Sequence, residues 1–155
     1  DNIFQAFFRY DPVGQVTDVD VVVLLKIDST GSNNRAGAMA RLSGGDGYWV
    51  GIVSNDIAFA RFLGGDRNDV EIGNTNIDPT TQYMFFRMNV SGDQIKGTQW
   101  VEGSTEPASP QLTVTNTVIP GPGYVGFGRW ARPVTYIAGF GIGLNGESAP
   151  TGPLP

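Results

Sequence analysis

The stretch Tyr83-Met-Phe-Phe-Arg-Met-Asn-Val-Ser-Gly-Asp-Gln-Ile-Lys-Gly-Thr-Gln-Trp100 indicates how the whole chain folds. In its first half every second residue is apolar, and one face of an extended strand would carry Met84, Phe86, Met88 and Val90. The two halves meet at Ser91-Gly92-Asp93, a polar corner typical of a β-hairpin. A hairpin cannot bury such a face alone, and the pattern therefore predicts further strands around it.

Segments with the same period of two recur along the rest of the chain. They cover residues 3–10, 18–27, 35–43, 48–54, 57–63, 70–72, 112–119, 124–130 and 134–144. Residues 18–27 are apolar on both faces toward the middle, which indicates a central strand. Apolar residues nowhere keep helical spacing for three turns, and 22 glycines and 10 prolines suit turns between short strands. We predict an all-β protein, a sandwich or barrel with little or no helix.

Length and composition predict one domain followed by a short tail. The chain has 155 residues, the size of one ordinary domain. Residues 1–145 hold the predicted strands, whereas residues 146–155 have the composition of a Pro/Gly-rich tail or linker. Because the chain opens with Asp1 and shows no leader, we expect it to be processed or cut from a longer polypeptide.

The charge balance and two missing residue types exclude several classes of function. A net charge of −5 provides no basic surplus for a nucleic-acid backbone. The absence of cysteine excludes disulfides and thiolate zinc sites, and the absence of histidine excludes Ser-His-Asp triads and histidine metal ligands. No apolar run approaches the ~18 residues of a membrane-spanning helix. We therefore expect neither a nucleic-acid partner nor a membrane span.

The order of the motifs resembles a known superfamily. Asp-Val-Asp-Val at 18–21 is followed by Gly-Ala-Met-Ala-Arg-Leu at 37–42, Gly-Tyr-Trp-Val at 47–50 and Ile-Ala-Phe-Ala-Arg-Phe at 57–62. Then come the 83–100 stretch, Glu106-Pro107, Gly-Tyr-Val-Gly-Phe-Gly at 123–128 and a closing aromatic strand. Over residues 16–144 this resembles the concanavalin A-like lectin/glucanase superfamily, in particular its laminin-G-like branch. The resemblance implies a two-sheet antiparallel jelly roll, frequent sugar binding on the concave face or at a rim, and common calcium sites.

Glycoside hydrolysis is the weakest of the functions that this resemblance implies. The glucanases of the superfamily carry a Glu-x-Asp-x-x-Glu strand. Here Asp69 and Glu71 alternate, but Asn76 and Asp78 do not complete the spacing. Asp18 and Asp20 alternate too, without a third acid nearby. A pair of alternating acids is typical of a solvated strand face, and we expect no catalytic residue; a laminarinase-type hydrolase is the last alternative.

One cluster of oxygen-bearing side chains is a candidate cation site. Asp66, Asn68 and Asp69 follow a glycine turn, and hard cations such as calcium prefer oxygen ligands of this kind. Asp and Asn also favour turns for backbone reasons alone, and the spacing is not that of an EF-hand. Calcium is therefore the one cofactor that we consider, and it is not required by the sequence.

Arginines and tryptophans supply the candidate sugar-binding residues. Trp130 stands between Arg129 and Arg132 in a predicted loop, where an indole and two guanidinium groups would converge on a ligand. Arg41 and Arg87 project from strands and would line a polar concave face, although exposed strand arginines also protect sheets from aggregation. We expect most other aromatic residues to be core.

These observations favour a non-catalytic recognition or adhesion module within a larger extracellular or virion-surface protein. A glycan or surface polysaccharide is the expected ligand, and other domains or subunits of the assembly are the expected partners. The alternative is a structural surface or decoration domain that only makes protein–protein contacts.

Overall fold

The computed structural model describes residues 5–31, 34–130 and 134–152, and every regular element in them is a strand. The strands are β1 (Gln5–Tyr10), β2 (Val19–Ile27), β3 (Arg35–Ser43), β4 (Asp46–Val53), β5 (Asp56–Leu63), β6 (Asp66–Gly73), β7 (Met84–Ser91), β8 (Gln94–Val101), β9 (Leu112–Thr115), β10 (Tyr124–Trp130) and β11 (Thr135–Leu144). The predicted all-β class is confirmed. The described residues accordingly contain no helix long and apolar enough to cross a membrane.

The strands form two antiparallel sheets, as a sandwich requires. The six-stranded sheet has the order β1-β10-β3-β4-β5-β6, and the five-stranded sheet has the order β11-β2-β7-β8-β9. The predicted hairpin is β7 and β8, which pair from Met84↔Val101 to Ser91↔Gln94. The central position predicted for residues 18–27 is also confirmed, because β2 lies between β11 and β7.

The core lies between the sheets and is made by the apolar face of each strand. Met84, Phe86 and Met88 of β7 are fully buried against Val50 and Phe59 of the six-stranded sheet. Their neighbours on the same strand point to the other side, as the period of two requires. The sequence pattern of the hairpin therefore sets which of its faces enters the core.

The outer face of the six-stranded sheet carries a second apolar layer. Trp49, Met39 and Phe62 are buried there, although they point away from the main core. Gly37 and Gly51 lie opposite each other in the register, and a Cβ on Gly51 would meet Ala36 O at 2.2 Å. The glycines thus allow close contact of two strands beneath the Trp49 ring.

Two strands differ from their predicted lengths by more than two residues. β6 has eight residues instead of the predicted three, because the turn Gly64-Gly65 has positive φ at both positions and β5 pairs with β6 immediately after it. β9 has only four of the predicted eight residues. It ends where Asn116 binds the Tyr48 hydroxyl, which is buried and donates to Asn116 O at 3.0 Å.

The chain after β11 folds back on the five-stranded sheet. Asn145 and Gly146 have positive φ and form the turn, after which Ala149 is buried against Val22 and Trp100. β11 has glycine at 139, 141 and 143 on its outer side, and a Cβ on Gly143 would meet Glu147 O at 2.2 Å. Residues 147–150 of the predicted tail therefore pack against the sheet.

Candidate functional site

Arg41 is buried rather than exposed on a sheet face. Its side chain is 1% exposed, and its guanidinium donates to Thr17 O at 3.0 Å, Ile119 O at 2.7 Å and Gly92 O at 2.6 Å. Each of these carbonyls belongs to a different connection between strands. The predicted position of Arg41 on a ligand-binding face is wrong, because the side chain is buried. Its three hydrogen bonds give it a structural role, which is to join three loops.

Arg129 lies on β10 rather than in a loop. It lines a cleft of about 210 Å³ between the two sheets, together with the apolar side chains of Phe8, Phe127 and Ile137. The side chain of Trp130 and the whole of Arg132 lie outside the described part of the chain. The convergence of Trp130, Arg129 and Arg132 on a ligand therefore stays a prediction.

Arg87 lies on the outer face of the five-stranded sheet and is held by two carboxylates. Its Nη1 donates to Asp20 Oδ2, its Nη2 donates to Glu106 Oε2 at 3.1 Å, and Glu106 Oε1 lies 2.7 Å from its Nε. Nη2 also donates to Ala149 O at 3.2 Å, and the Ala149 amide donates to Asp20 Oδ2 at 3.1 Å. Arg87 and Asp20, at 12% and 4% side-chain exposure, together fasten the segment that follows β11.

Beside this ion pair a polar groove of about 640 Å³ opens at one rim of the sandwich. It lies where β2 begins and where β7 and β11 end. Its polar residues come from distant parts of the chain: Thr17, Asp18, Asp20, Asn89, Ser91, Lys96, Asn145 and Glu147. We call this surface the rim groove.

Strand register explains why these side chains meet. Asp20 pairs with Asn89, and Asn89 pairs with Lys96, and the three therefore form one row across β2, β7 and β8. Asp18 begins the next row, where its Oδ1 accepts a hydrogen bond from the Gly92 amide at 2.9 Å. Glu147 reaches the groove because the Asn145-Gly146 turn reverses the chain.

The rim groove combines hydrogen-bond acceptors with donors. Asp18 and Glu147 supply carboxylate oxygens, Lys96 supplies an ammonium group, and Asn89 supplies both an acceptor and donors. Asp20 Oδ1 is buried and has no hydrogen-bond partner among the described residues. Such a surface is suited to a ligand with many hydroxyl groups, since each hydroxyl both donates and accepts.

The predicted cation ligands lie outside the rim groove, on the edge strand β6 of the six-stranded sheet. Asn68 Nδ2 donates to Asp66 O at 3.0 Å, and the side chain of Asp69 lies outside the described part. Within the described residues no group of three or more His, Cys, Asp or Glu side chains is placed to hold a metal ion. Calcium binding at Asp66, Asn68 and Asp69 remains a prediction.

Sequence reasoning named Asp18 and Asp20 as alternating acids but did not connect them with the other groove residues. No sequence signal marked Asn89, Lys96 and Glu147 as ligand-binding residues, because each is a polar residue near a turn. The one pattern that could have placed Glu147 is the alternation of glycine at 139, 141 and 143. A strand that lacks side chains on one face leaves room for a chain segment to cover it.

Comparisons with solved structures show the fold. The chain matches the carbohydrate-binding module CBM66 from Bacillus subtilis at a TM-score of 0.63 and 12% identity, over 86% of this chain and 78% of that one. Chicken galectin 2 matches at 0.56 and 8% identity, over 90% and 98% of the two chains. A Bacillus licheniformis β-glucanase matches at 0.55 and 12% identity, over 86% and 73%. No family model and no curated protein matches the sequence.

Proposed function

We propose that this chain, a concanavalin A-like jelly-roll sandwich, is a non-catalytic recognition module that binds carbohydrate through the rim groove. The fold is shared with a carbohydrate-binding module and with galectins, and with a β-glucanase too, so that the fold by itself is compatible with binding or with hydrolysis. The rim groove carries the proposal, because it brings carboxylates, an ammonium group and amides together around a solvent-open space. We place the module in a larger extracellular or virion-surface protein.

The size and chemistry of the rim groove suit a short oligosaccharide. About 640 Å³ falls within the range of roughly 300–1,000 Å³ typical of small-molecule sites. No aromatic side chain lines the groove among the described residues, and Trp49 and Trp100 are buried elsewhere. Because stacking on an indole is missing, hydrogen bonds must supply the affinity. We expect a dissociation constant of about 1 mM, equivalent to about −4 kcal/mol.

The hydrogen bonds of Asp20 support binding rather than hydrolysis. A retaining glycosidase needs two carboxyl groups about 5–5.5 Å apart, one to transfer a proton and one to attack. Asp20 Oδ2 is already occupied by Arg87 and by the Ala149 amide, and a carboxylate held in this way is poorly placed to exchange a proton with a substrate. Glu71, another of the acids considered, lies exposed on the edge strand β6.

A glycan array on the full chain, run with and without calcium, tests the proposal. The best glycan is then titrated against two lysine variants that differ only in position. Lys96→Ala removes an exposed donor of β8 from the rim groove, whereas Lys26→Ala removes a lysine of β2 that does not line the groove. A hydrogen bond to a charged group contributes about 1.5–3 kcal/mol, and we therefore expect Lys96→Ala to weaken binding at least tenfold and Lys26→Ala to leave it unchanged.

The same titration can contradict the proposal. If the Lys96→Ala and Lys26→Ala variants bind the glycan with equal affinity, the rim groove is not the binding site, although the protein still binds carbohydrate. Absence of binding to every glycan at millimolar concentration would remove the carbohydrate proposal itself. Dependence of binding on calcium would point to the cluster around Asp66 and Asn68 instead.

A further inference from the structure

The chain contains a single Asn-Gly pair, Asn145-Gly146, and both residues are exposed at the rim of the sandwich. The side-chain amide carbon of an asparagine can be attacked by the main-chain nitrogen of the next residue, which closes a five-membered succinimide ring. Glycine in the second position favours this attack, because it has no side chain to shield its nitrogen. The pair is therefore a candidate for spontaneous chemical modification.

The turn that this pair forms leaves the attacking nitrogen accessible. Asn145 and Gly146 have φ of 56° and 87°, as the two central residues of a type I′ turn do. The hydrogen bond that closes the turn runs from the Glu147 amide to Leu144 O at 3.0 Å and does not involve the Gly146 amide. Within the part of the chain that the structure describes, the Gly146 amide donates no hydrogen bond. Its nitrogen is therefore free to react.

A second asparagine, Asn76, provides a comparison within the same molecule. It too is exposed and has a positive φ, 49°. Its next residue is Ile77, whose side chain packs against the core and whose amide donates to Asn55 O at 2.8 Å. Attack on Asn76 would require this hydrogen bond to break and Ile77 to leave its contacts. The two asparagines thus share exposure and a left-handed φ, and they differ in the nitrogen that would attack.

We propose that Asn145 deamidates spontaneously and that the isoaspartate product releases residues 147–152 from the five-stranded sheet. The Gly146 nitrogen bonds to Asn145 Cγ, and the side-chain amino group leaves with the proton of that nitrogen as ammonia. Water then adds to one of the two carbonyl carbons of the succinimide and breaks its bond to the Gly146 nitrogen. Opening at Cγ gives aspartate, and opening at the main-chain carbon gives isoaspartate. One water is consumed, one ammonia is released, and nothing is oxidised or reduced.

Isoaspartate routes the main chain through the side chain and so adds one carbon atom to a two-residue turn. The segment after the turn lies directly on β11, where a Cβ on Gly143 would meet Glu147 O at 2.2 Å. Ala149 is 3% exposed, and its amide and carbonyl are bonded to Asp20 and Arg87. A longer turn shifts Glu147 along β11 and pulls Ala149 away from these two partners.

The two products therefore differ in their effect on the segment. Aspartate keeps an ordinary Asp-Gly turn, which also adopts type I′, and residues 147–152 stay in place. Isoaspartate detaches them. Either product adds a carboxylate to the rim groove beside Asp18 and Glu147, which line it together with Asn145. A resulting change in sugar affinity rests on the proposed function, whereas the deamidation itself does not.

Peptide mapping by mass spectrometry measures the reaction on the full chain, incubated at body temperature in mildly alkaline buffer. Alkaline conditions promote ring closure, because they deprotonate the attacking nitrogen. Digestion with pepsin in acid then prevents further deamidation in the peptides. We expect Asn145 to deamidate at least tenfold faster than Asn76, since the Ile77 amide must first open from its hydrogen bond. We expect isoaspartate, detected by enzymatic methylation, to form at Asn145.

Two variants separate the main-chain change from the charge. Asn145→Gly is the matched control, because Gly-Gly also forms type I′ turns and has no side-chain amide to lose. Asn145→Asp carries the charge of the product without the extra main-chain atom. We expect limited proteolysis to cut residues 147–152 faster in the aged wild-type chain than in aged Asn145→Gly or in fresh Asn145→Asp. Thermal melting verifies that each variant folds, and either one suffices for the comparison.

Three results would overturn the inference. The first is deamidation of Asn145 no faster than that of Asn76, and the second is equal isoaspartate in the aged wild-type and Asn145→Gly chains. The third is a wild-type chain that is cut at residues 147–152 no faster after ageing, or a fresh Asn145→Asp chain that is cut as fast as the aged wild type. None of these measurements involves a sugar, so that failure here is distinguishable from failure of the proposed function.

Discussion

Replacing Arg87 with alanine should destabilise the protein more than replacing its partner Asp20 with asparagine. Both residues are nearly buried, but they differ in what each leaves behind. When Arg87 is removed, Asp20 keeps only the Ala149 amide at 3.1 Å, and its Oδ1 already lacks a partner among the described residues. When Asp20 is neutralised, Arg87 keeps Glu106 and Ala149 O. The two variants therefore differ in the charge that remains. Arg87→Ala leaves the Asp20 carboxylate without a counter-ion, whereas Asp20→Asn leaves the Arg87 guanidinium with Glu106.

The magnitudes follow from that difference. Breaking a buried ion pair by removing one partner costs about 3–5 kcal/mol, mostly because a buried charge loses its counter-ion. Losing one hydrogen bond to a charged group costs about 1.5–3 kcal/mol. We expect Arg87→Ala to lower the free energy of unfolding by about 3–5 kcal/mol, and Asp20→Asn to lower it by about 1.5 kcal/mol. A domain of this size loses about 2–4 °C per kcal/mol, and the melting temperature of Arg87→Ala should fall by roughly 10 °C.

Denaturant unfolding monitored by tryptophan fluorescence measures both variants, because Trp49 and Trp100 are buried in the folded state. The double variant should cost less than the sum of the two single variants, since the orphaned carboxylate is then absent. Limited proteolysis should cut residues 147–152 faster in the Arg87→Ala variant, because Ala149 O then loses its donor. An Arg87→Ala cost equal to or below that of Asp20→Asn would refute this reasoning about burial.

Three further predictions test other parts of the fold. Gly51→Ala should destabilise by several kcal/mol, because its Cβ would lie 2.2 Å from a main-chain oxygen, whereas Gly121→Ala, with no atom within 4 Å, should be neutral in the same melting assay. Tyr48→Phe should cost about 1–3 kcal/mol in denaturant unfolding, since the Ile119 amide loses its acceptor at 3.1 Å inside the protein. Arg41→Met should cost more than Arg41→Lys, because only lysine retains a charged donor for the three carbonyls, and equal melting temperatures would contradict this.

Much of the fold could be predicted because strand alternation is a local property. The alternation of Met84, Phe86 and Met88 predicts a buried face, and these three side chains are buried in the structure. The full length of β6 was harder to predict, because its residues are mostly polar and charged and its start depends on the Gly64-Gly65 turn. An edge strand of this composition has almost no apolar period to detect.

The candidate site was less predictable, because its residues are ordinary as individuals. Arg41 and Arg87 were both expected on a ligand-binding face, since an arginine among apolar strand residues looks exposed by pattern. Arg41 is instead bonded to three carbonyls, and Arg87 is paired with Asp20 and Glu106. The partners of each lie in other strands or in loops, and no local pattern points to them.

The sequence by itself determined the all-β class, the hairpin around Gly92, and the absence of histidine and cysteine chemistry. These follow from composition and from residues two positions apart. Only the tertiary structure decided which charges are paired and which strands lie at the sheet edges. Asp20 and Arg87 are 67 residues apart and meet only because β2 and β7 are neighbours in one sheet. The positions of β1 and β11 at the sheet edges likewise depend on strand order, which the side-chain period does not encode.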